Sequence, residues 1–152
     1  MTTPTPPAGF LHLVVGYDGS PPAIRALDGA VRLLQGRAGR IDVVYVAHLS
    51  TAVMMSADAI AEMESGFDEI EQDLRAEVGQ RLTGQVESWG FERLQGIVAD
   101  ELIAMATGIH EAQPGHTVVI AVGSSSAAAH RIVGSVAVHL ARHSPVPVII
   151  VP

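Results

Sequence analysis

Residues 118–138 read VVIAVGSSSAAAHRIVGSVAV, and this stretch decides the architecture. An apolar run ends at Gly123, a loop of small residues follows, and Gly134-Ser135 opens a helix. A strand that feeds a glycine-bearing loop into a helix N-terminus presents free backbone N–H groups and the positive end of a helix dipole. That arrangement holds anions such as phosphate.

Working outward, Phe10–Val15 is a short apolar run broken by His12 that ends in Gly16-Tyr17-Asp18-Gly19-Ser20. Ser20 followed by Pro21 and Pro22 is a helix start, with a capping hydroxyl and proline in the first turn. Ile24, Leu27, Val31 and Leu34 then recur at helical spacing, and Gly36 and Gly39 are expected to end the helix. Ile41–Val46 is the second strand. From Thr51 to Trp89 the pattern is helical, with Ile60, Met63, Phe67, Ile70, Leu74, Val78 and Leu82 on one stripe. Gly66, Gly79 and Gly84 predict a bend or split in it. Phe91–Val98 reads as the third strand, followed by a helix from about Ala99 with Leu102, Ile103 and Ala106 inward. Pro114-Gly115 is a turn and Thr117–Val122 the fourth strand. The helix from Gly134 turns Val136, Ala137 and Leu140 inward, and residues 145–151 form a last strand whose Pro147 suits an edge or a strand start.

The order β-α-β-α-β-α-β-α-β implies an α/β fold: an open five-stranded parallel sheet of order 3-2-1-4-5 with helices on both faces, Rossmann-like. Residues 1–9 read as a flexible Pro/Thr tail and 10–152 as a single domain. In such a sheet the winding reverses between the first and fourth strands, and ligands bind at the C-terminal strand ends there. The loops at that point are 16–20 and 123–134.

Composition narrows the chemistry. The 152 residues include no cysteine, which excludes disulfides, thiolate metal sites and a thiol nucleophile. All nine basic residues are arginine, so there is no Walker lysine and no Schiff base. A net charge of −7 argues against nucleic acid or an anionic membrane as partner. No apolar run reaches the roughly 20 residues that span a bilayer, and the N-terminus lacks the pattern of a signal peptide. A cytoplasmic protein is expected. The acidic residues of the long helix, Asp58, Glu62, Glu64, Asp68, Glu69, Glu71, Asp73 and Glu77, read as a solvated face, or as a surface for a basic protein partner.

Asp18, at the turn from strand to helix, can accept hydrogen bonds from a ligand or help cap the helix; the sequence favours neither reading. Ser125 lies where a nucleophile elbow would place its serine, but no base or orienting acid stands at a fitting spacing. His139 and His143 are one turn apart and could share a metal, although a helix-end role suits His143 better. His12 is expected to be packed and hydrogen-bonded. His48 lies near the cleft, and Met54 and Met55 near the cleft or core.

At residues 14–31, VVGYDGSPPAIRALDGAV, and 122–151, VGSSSAAAHRIVGSVAVHLARHSPVPVIIV, the chain resembles the universal stress protein family. The resemblance implies an adenine nucleotide hydrolase-like fold and a regulatory binding module of the stress response. Members of that family that bind ATP or a related adenine nucleotide share G-x-x-G, nine residues, then G-[S/T]. Here Gly123 matches the first glycine and Gly134-Ser135 the last pair. Ser126 replaces the second glycine, and seven residues rather than nine follow it. Serine does not share glycine's access to positive φ, so the phosphate cradle departs from the family pattern. Ser124, Ser125, Ser126 and Ser135 offer hydroxyls in compensation, and Arg131 is the loop's only cation. The implied nucleotide site comprises Asp18, Val46, Gly123, Ser124, Ser126, Gly134, Ser135 and Val136. No catalytic residues are expected, since lysine clamp, magnesium carboxylates and water-positioning base are all missing. Mg²⁺ would enter only with the nucleotide. The apolar last strand, Val146 to Val151, would be exposed if unpaired, so pairing with a second copy across a two-fold axis is expected there, and the resemblance also implies a homodimer. The alternative to nucleotide binding is a nucleotide-free interaction module.

Overall fold

The computed structural model describes residues 9–48, 56–125 and 134–152. Its elements, in order, are β1 (Phe10–Gly16), α1 (Pro21–Leu34), β2 (Gly39–Ala47), α2 (Ala57–Leu82), β3 (Trp89–Gln95), α3 (Val98–Ala112), β4 (His116–Gly123), α4 (Ser135–His143) and β5 (Val148–Val151). The strands pair in parallel in the order β3-β2-β1-β4-β5. This is the expected sheet.

Strand alternation divides the core in two. Leu13 and Val15 of β1 face α1 and α2, where they meet Leu27, Val31, Leu74 and Val78. Val14 faces the other side, with Leu102 and Ala106 of α3 and Leu140 of α4. All three consecutive β1 residues are therefore buried, as a central parallel strand requires. Two crossovers on one face and two on the other follow from the right-handed rule once the winding reverses between β1 and β4.

Several boundaries differ from the sequence expectation. Gly39 opens β2 instead of ending α1; a Cβ there would lie 2.3 Å from the Leu11 carbonyl oxygen, so the close strand approach requires glycine. The chain leaves α1 at Gly36, which has φ of +72°. β3 runs from Trp89 to Gln95, not to Val98, because Gly96 turns the chain at φ +142° and α3 begins at Val98. β5 is confined to Val148–Val151. α2 is one helix of 26 residues that passes through Gly66 and Gly79 without a break. Its apolar stripe is buried only at Leu74, Val78 and Leu82, while Ile60 and Ile70 are 38% and 43% exposed. At 1.5 Å per residue this helix is roughly 39 Å long, against roughly 30 Å for β2, so its first turns overhang the sheet.

His12 is 7% exposed and pairs with Asp42, which also receives Arg40 at 2.8 Å. Arg40 continues to Ser88 Oγ at 3.0 Å. Burial pushes the Asp42 carboxyl up, but the hydrogen bonds from His12 and Arg40 outweigh it and hold the pKa at about 2. This network lies near the starts of β1 and β2, at the end of the sheet away from the reversal loops. It ties the strands together and has no part in the cleft.

Candidate functional site

At the C-terminal ends of β1 and β4 the sheet opens into a cavity of about 490 Å³. Three features of the chain build it. First, Gly16 ends β1 without a side chain; a Cβ there would press on Leu102 at 3.1 Å, and Leu102 forms part of the cavity wall. Second, α1 starts immediately beyond the turn. Ser20 Oγ accepts the Ala23 N–H at 3.4 Å, and Pro21 and Pro22 occupy the first turn. Third, β2 outruns β1, because their ladder ends at Gly16 and Val44 while β2 continues to Ala47.

That overrun sets the chemistry at Val46. The Val44 carbonyl accepts the Tyr17 N–H at 2.8 Å, on the β1 side. Two residues on, strand alternation turns the Val46 amide and carbonyl the same way, past the last residue of β1. The Ala47 carbonyl, turned oppositely, accepts the Gly96 N–H at 3.2 Å. Val46 thus offers a donor and an acceptor side by side toward the cavity it lines. Such a pair matches the edge of an adenine ring.

Asp18 lines the cavity at its exposed mouth, and its Oδ1 accepts the Ser20 N–H at 3.0 Å. The carboxylate therefore supports the turn through one oxygen, and the other oxygen is not used by that bond. Tyr17 is 3% exposed and donates its hydroxyl to Glu77 of α2 at 2.6 Å. Burial, then the Glu77 hydrogen bond and charge, push the Tyr17 phenol well above its ordinary value, so it stays neutral. This bond holds α2 against the cavity's rim.

On the opposite side, Gly123, Gly134, Ser135 and Val136 all line the cavity. Gly123 is required for packing, since a Cβ would stand 2.1 Å from the Pro22 carbonyl oxygen. Gly134 is the N-cap of α4 and supplies no side-chain cap, so the first-turn amides of α4 have no partner within the helix. Ser135, Val136 and Ala137 of that turn border the cavity. Ser124 does not border it. Its N–H donates to Val151 at 2.8 Å and its carbonyl accepts Arg25 Nη2 at 3.4 Å, so β5 and α1 occupy its backbone. Ser125 lines the cavity in its place. Ser126, Arg131, Met54 and Met55 lie outside the described residues. His48 borders the cavity, with Nδ1 3.3 Å from the Gly96 carbonyl.

His139 and His143 stand one turn apart on α4. His139 Nε2 lies 3.0 Å from Asp100 and its ring is 4.5 Å from that of His143. Among the described residues no three His, Cys, Asp or Glu side chains are grouped to hold a metal ion.

The profile of the universal stress protein family matches residues 9–152. The chain belongs to this family. UspA from Lactobacillus plantarum shares its fold at 20% identity, with a TM-score of 0.75, covering 95% of this chain and 99% of that one. A universal stress protein crystallised in complex with cAMP matches at 22% identity and TM-score 0.66, over 95% of this chain and 98% of that one. An Arabidopsis thaliana member of the family with AMP bound matches at 12% identity and TM-score 0.60, over 93% and 90%. No curated protein sequence matches the chain. Among the described residues no helix is long and apolar enough to cross a membrane.

Proposed function

We propose that this universal stress protein is a regulatory module of the cytoplasm that binds an adenine nucleotide in the cleft between β1 and β4 without significant turnover. The observation that carries this reading is that two backbone sets border one cavity: the Val46 amide and carbonyl on one side, the first turn of α4 on the other. Adenine suits the first set and a phosphate the second, because the helix dipole and free N–H groups favour negative charge. The apolar walls between them, including Val44, Val98, Leu102 and Val122, suit the faces of a base. Asp18 receives a hydroxyl or amine of the ligand on its remaining oxygen. The bound cAMP and AMP of the two relatives agree in ligand class.

The same geometry argues for binding without chemistry. No lysine exists in the chain, and no arginine borders the cavity among the described residues. Among the described residues the cavity's carboxylate is Asp18, and it already serves the turn, so a magnesium ion would arrive with the nucleotide. Calorimetric titration with AMP, cAMP and ATP, beside mass spectrometry of nucleotide carried through purification, tests the reading. No heat at millimolar nucleotide and no co-purified nucleotide would refute it.

One observation favours the alternative of a nucleotide-free interaction module: the Ser124 N–H, a potential phosphate donor, is spent on Val151. The four-residue edge strand β5 has half-buried side chains, and among the described residues no strand pairs with its outer side. Pairing of residues Val146 to Val151 with a second copy would protect that edge. A sedimentation measurement that finds only monomer at micromolar concentration would exclude it.

A further inference from the structure

The cleft does not end at α4. A second cavity of about 320 Å³ shares His48, Val98, Ser135 and Val136 with the first and continues to Ile97 and His139. Ile97 breaks a local rule. It is the N-cap of α3, where Ser, Thr, Asp or Asn is favoured, and it makes no side-chain cap bond. It is also 59% exposed, the most exposed large apolar side chain among the described residues. An isoleucine that gives up the capping bond and leaves its side chain in water is best explained by something that covers it. His139 bounds the groove, its imidazole 3.0 Å from Asp100, one of the two acids in the first turn of α3. The groove therefore offers aliphatic surface beside an imidazole, and among the described residues no arginine lines it. That chemistry fits a flat uncharged ring and not a further phosphate.

Continuity fixes how such a ring arrives. Ser135 and Val136 border both cavities, so a phosphate at the first turn of α4 stands between them. On the reading that adenosine occupies the first cavity, on which this inference rests, a group attached to the far side of that phosphate enters the second. We propose that the cleft accepts a dinucleotide: adenosine joined through its phosphates to a second nucleoside whose ring covers Ile97 beside His139.

Calorimetric titrations of the full chain with AMP, ADP and diadenosine diphosphate test this. AMP and ADP bind within about twofold of each other, because among the described residues no arginine lines the groove to receive an added phosphate. Diadenosine diphosphate binds about tenfold more tightly than AMP, beyond the twofold its two identical ends supply statistically. In Ile97→Ser, which installs a favoured N-cap and preserves α3, AMP binds as in the wild type while the dinucleotide advantage falls to about the statistical factor. A dinucleotide no tighter than AMP in the wild type, or an advantage that survives Ile97→Ser, overturns the inference and leaves the mononucleotide reading intact. Failure of AMP itself to bind removes both, and is recognised by that first titration.

Discussion

Gly123→Ala and Gly134→Ala separate packing from binding within a single motif. The two glycines occupy matching ends of the reversal loop, yet their surroundings differ. At Gly123 a Cβ would lie 2.1 Å from the Pro22 carbonyl oxygen, 2.4 Å from its carbon and 2.7 Å from Pro22 Cβ. These are backbone and ring atoms, so no rotamer change relieves them. The end of β4 and the first turn of α1 must move apart by about 1 Å, a gap that forfeits a quarter to a half of each dispersion contact along the seam. Overpacking of this kind costs about 1–3 kcal/mol, and rigid neighbours put Gly123→Ala at about 3 kcal/mol. With a urea dependence of about 2 kcal/mol per molar, the midpoint falls by about 1.5 M. At Gly134 the built Cβ stands 3.3 Å from Ser125 Oγ and 3.4 Å from its Cβ, contacts that ask for a shift of only a few tenths of an ångström, and φ is −60°. The main loss is the N-cap preference for glycine over alanine, about 0.5–1 kcal/mol. Urea unfolding followed by circular dichroism measures both. Equal midpoint shifts, or a Gly123→Ala shift below about 0.3 M, would refute the assignment of Gly123 to packing.

Removing the Tyr17 hydroxyl in Tyr17→Phe deletes the bond to Glu77 and should cost about 1 kcal/mol, seen as a melting point lower by roughly 2–4 °C; an unchanged melting point would show that the bond does not anchor α2. Asp18→Ala should weaken AMP binding about tenfold in calorimetry while leaving urea stability nearly intact, since water replaces the exposed bond to Ser20; unaltered affinity would mean that the ligand avoids Asp18. Stability should also fall in two acid stages. Burial and then the charge of His12 lower the His116 pKa below 6.5, so the unfolded chain takes up that proton first and stability declines as pH drops below 6.5. Asp42, held at about 2 against an ordinary 3.8, contributes stability above 3.8 that is lost as pH falls toward 2. Asp42→Asn should flatten the second stage in pH-dependent urea titrations; a persistent decline there would place its origin elsewhere.

The sheet order and the cleft's location were legible because the relevant signals are local. Ser20-Pro21-Pro22 marks a helix start, and alternating apolar strands and helices force the crossovers. Boundaries failed where an apolar run carries no period. Residues 91–98 read as one strand because only the positive φ of Gly96, invisible in a hydropathy pattern, separates β3 from α3. The stripe on α2 was continuous in sequence but is buried only from Leu74, since helix length relative to the sheet is a tertiary quantity. Gly39 carried the signature of a helix stop, whereas its necessity comes from Leu11 on a neighbouring strand. His12 pairs with Asp42 across 30 residues because strand register sets them together. Within the cleft, the sequence placed Asp18, Val46, Gly123 and the start of α4 around a common cavity but gave no warning about Ser124. Its amide is engaged by Val151, the last residue of a strand 27 positions later. The broken capping rule at Ile97 was the signal that could have extended the site, and the misplaced end of β3 concealed it.

Amide chemical shifts of the ¹⁵N-labelled chain during titration with AMP test the central claim most directly, because that claim concerns backbone N–H groups. The largest changes should fall on Val46 and on Ser135, Val136 and Ala137, with Ser124 little affected because its amide remains bonded to Val151. An unchanged spectrum at millimolar AMP, or changes clustered on β5 and the acidic face of α2 instead, would contradict it.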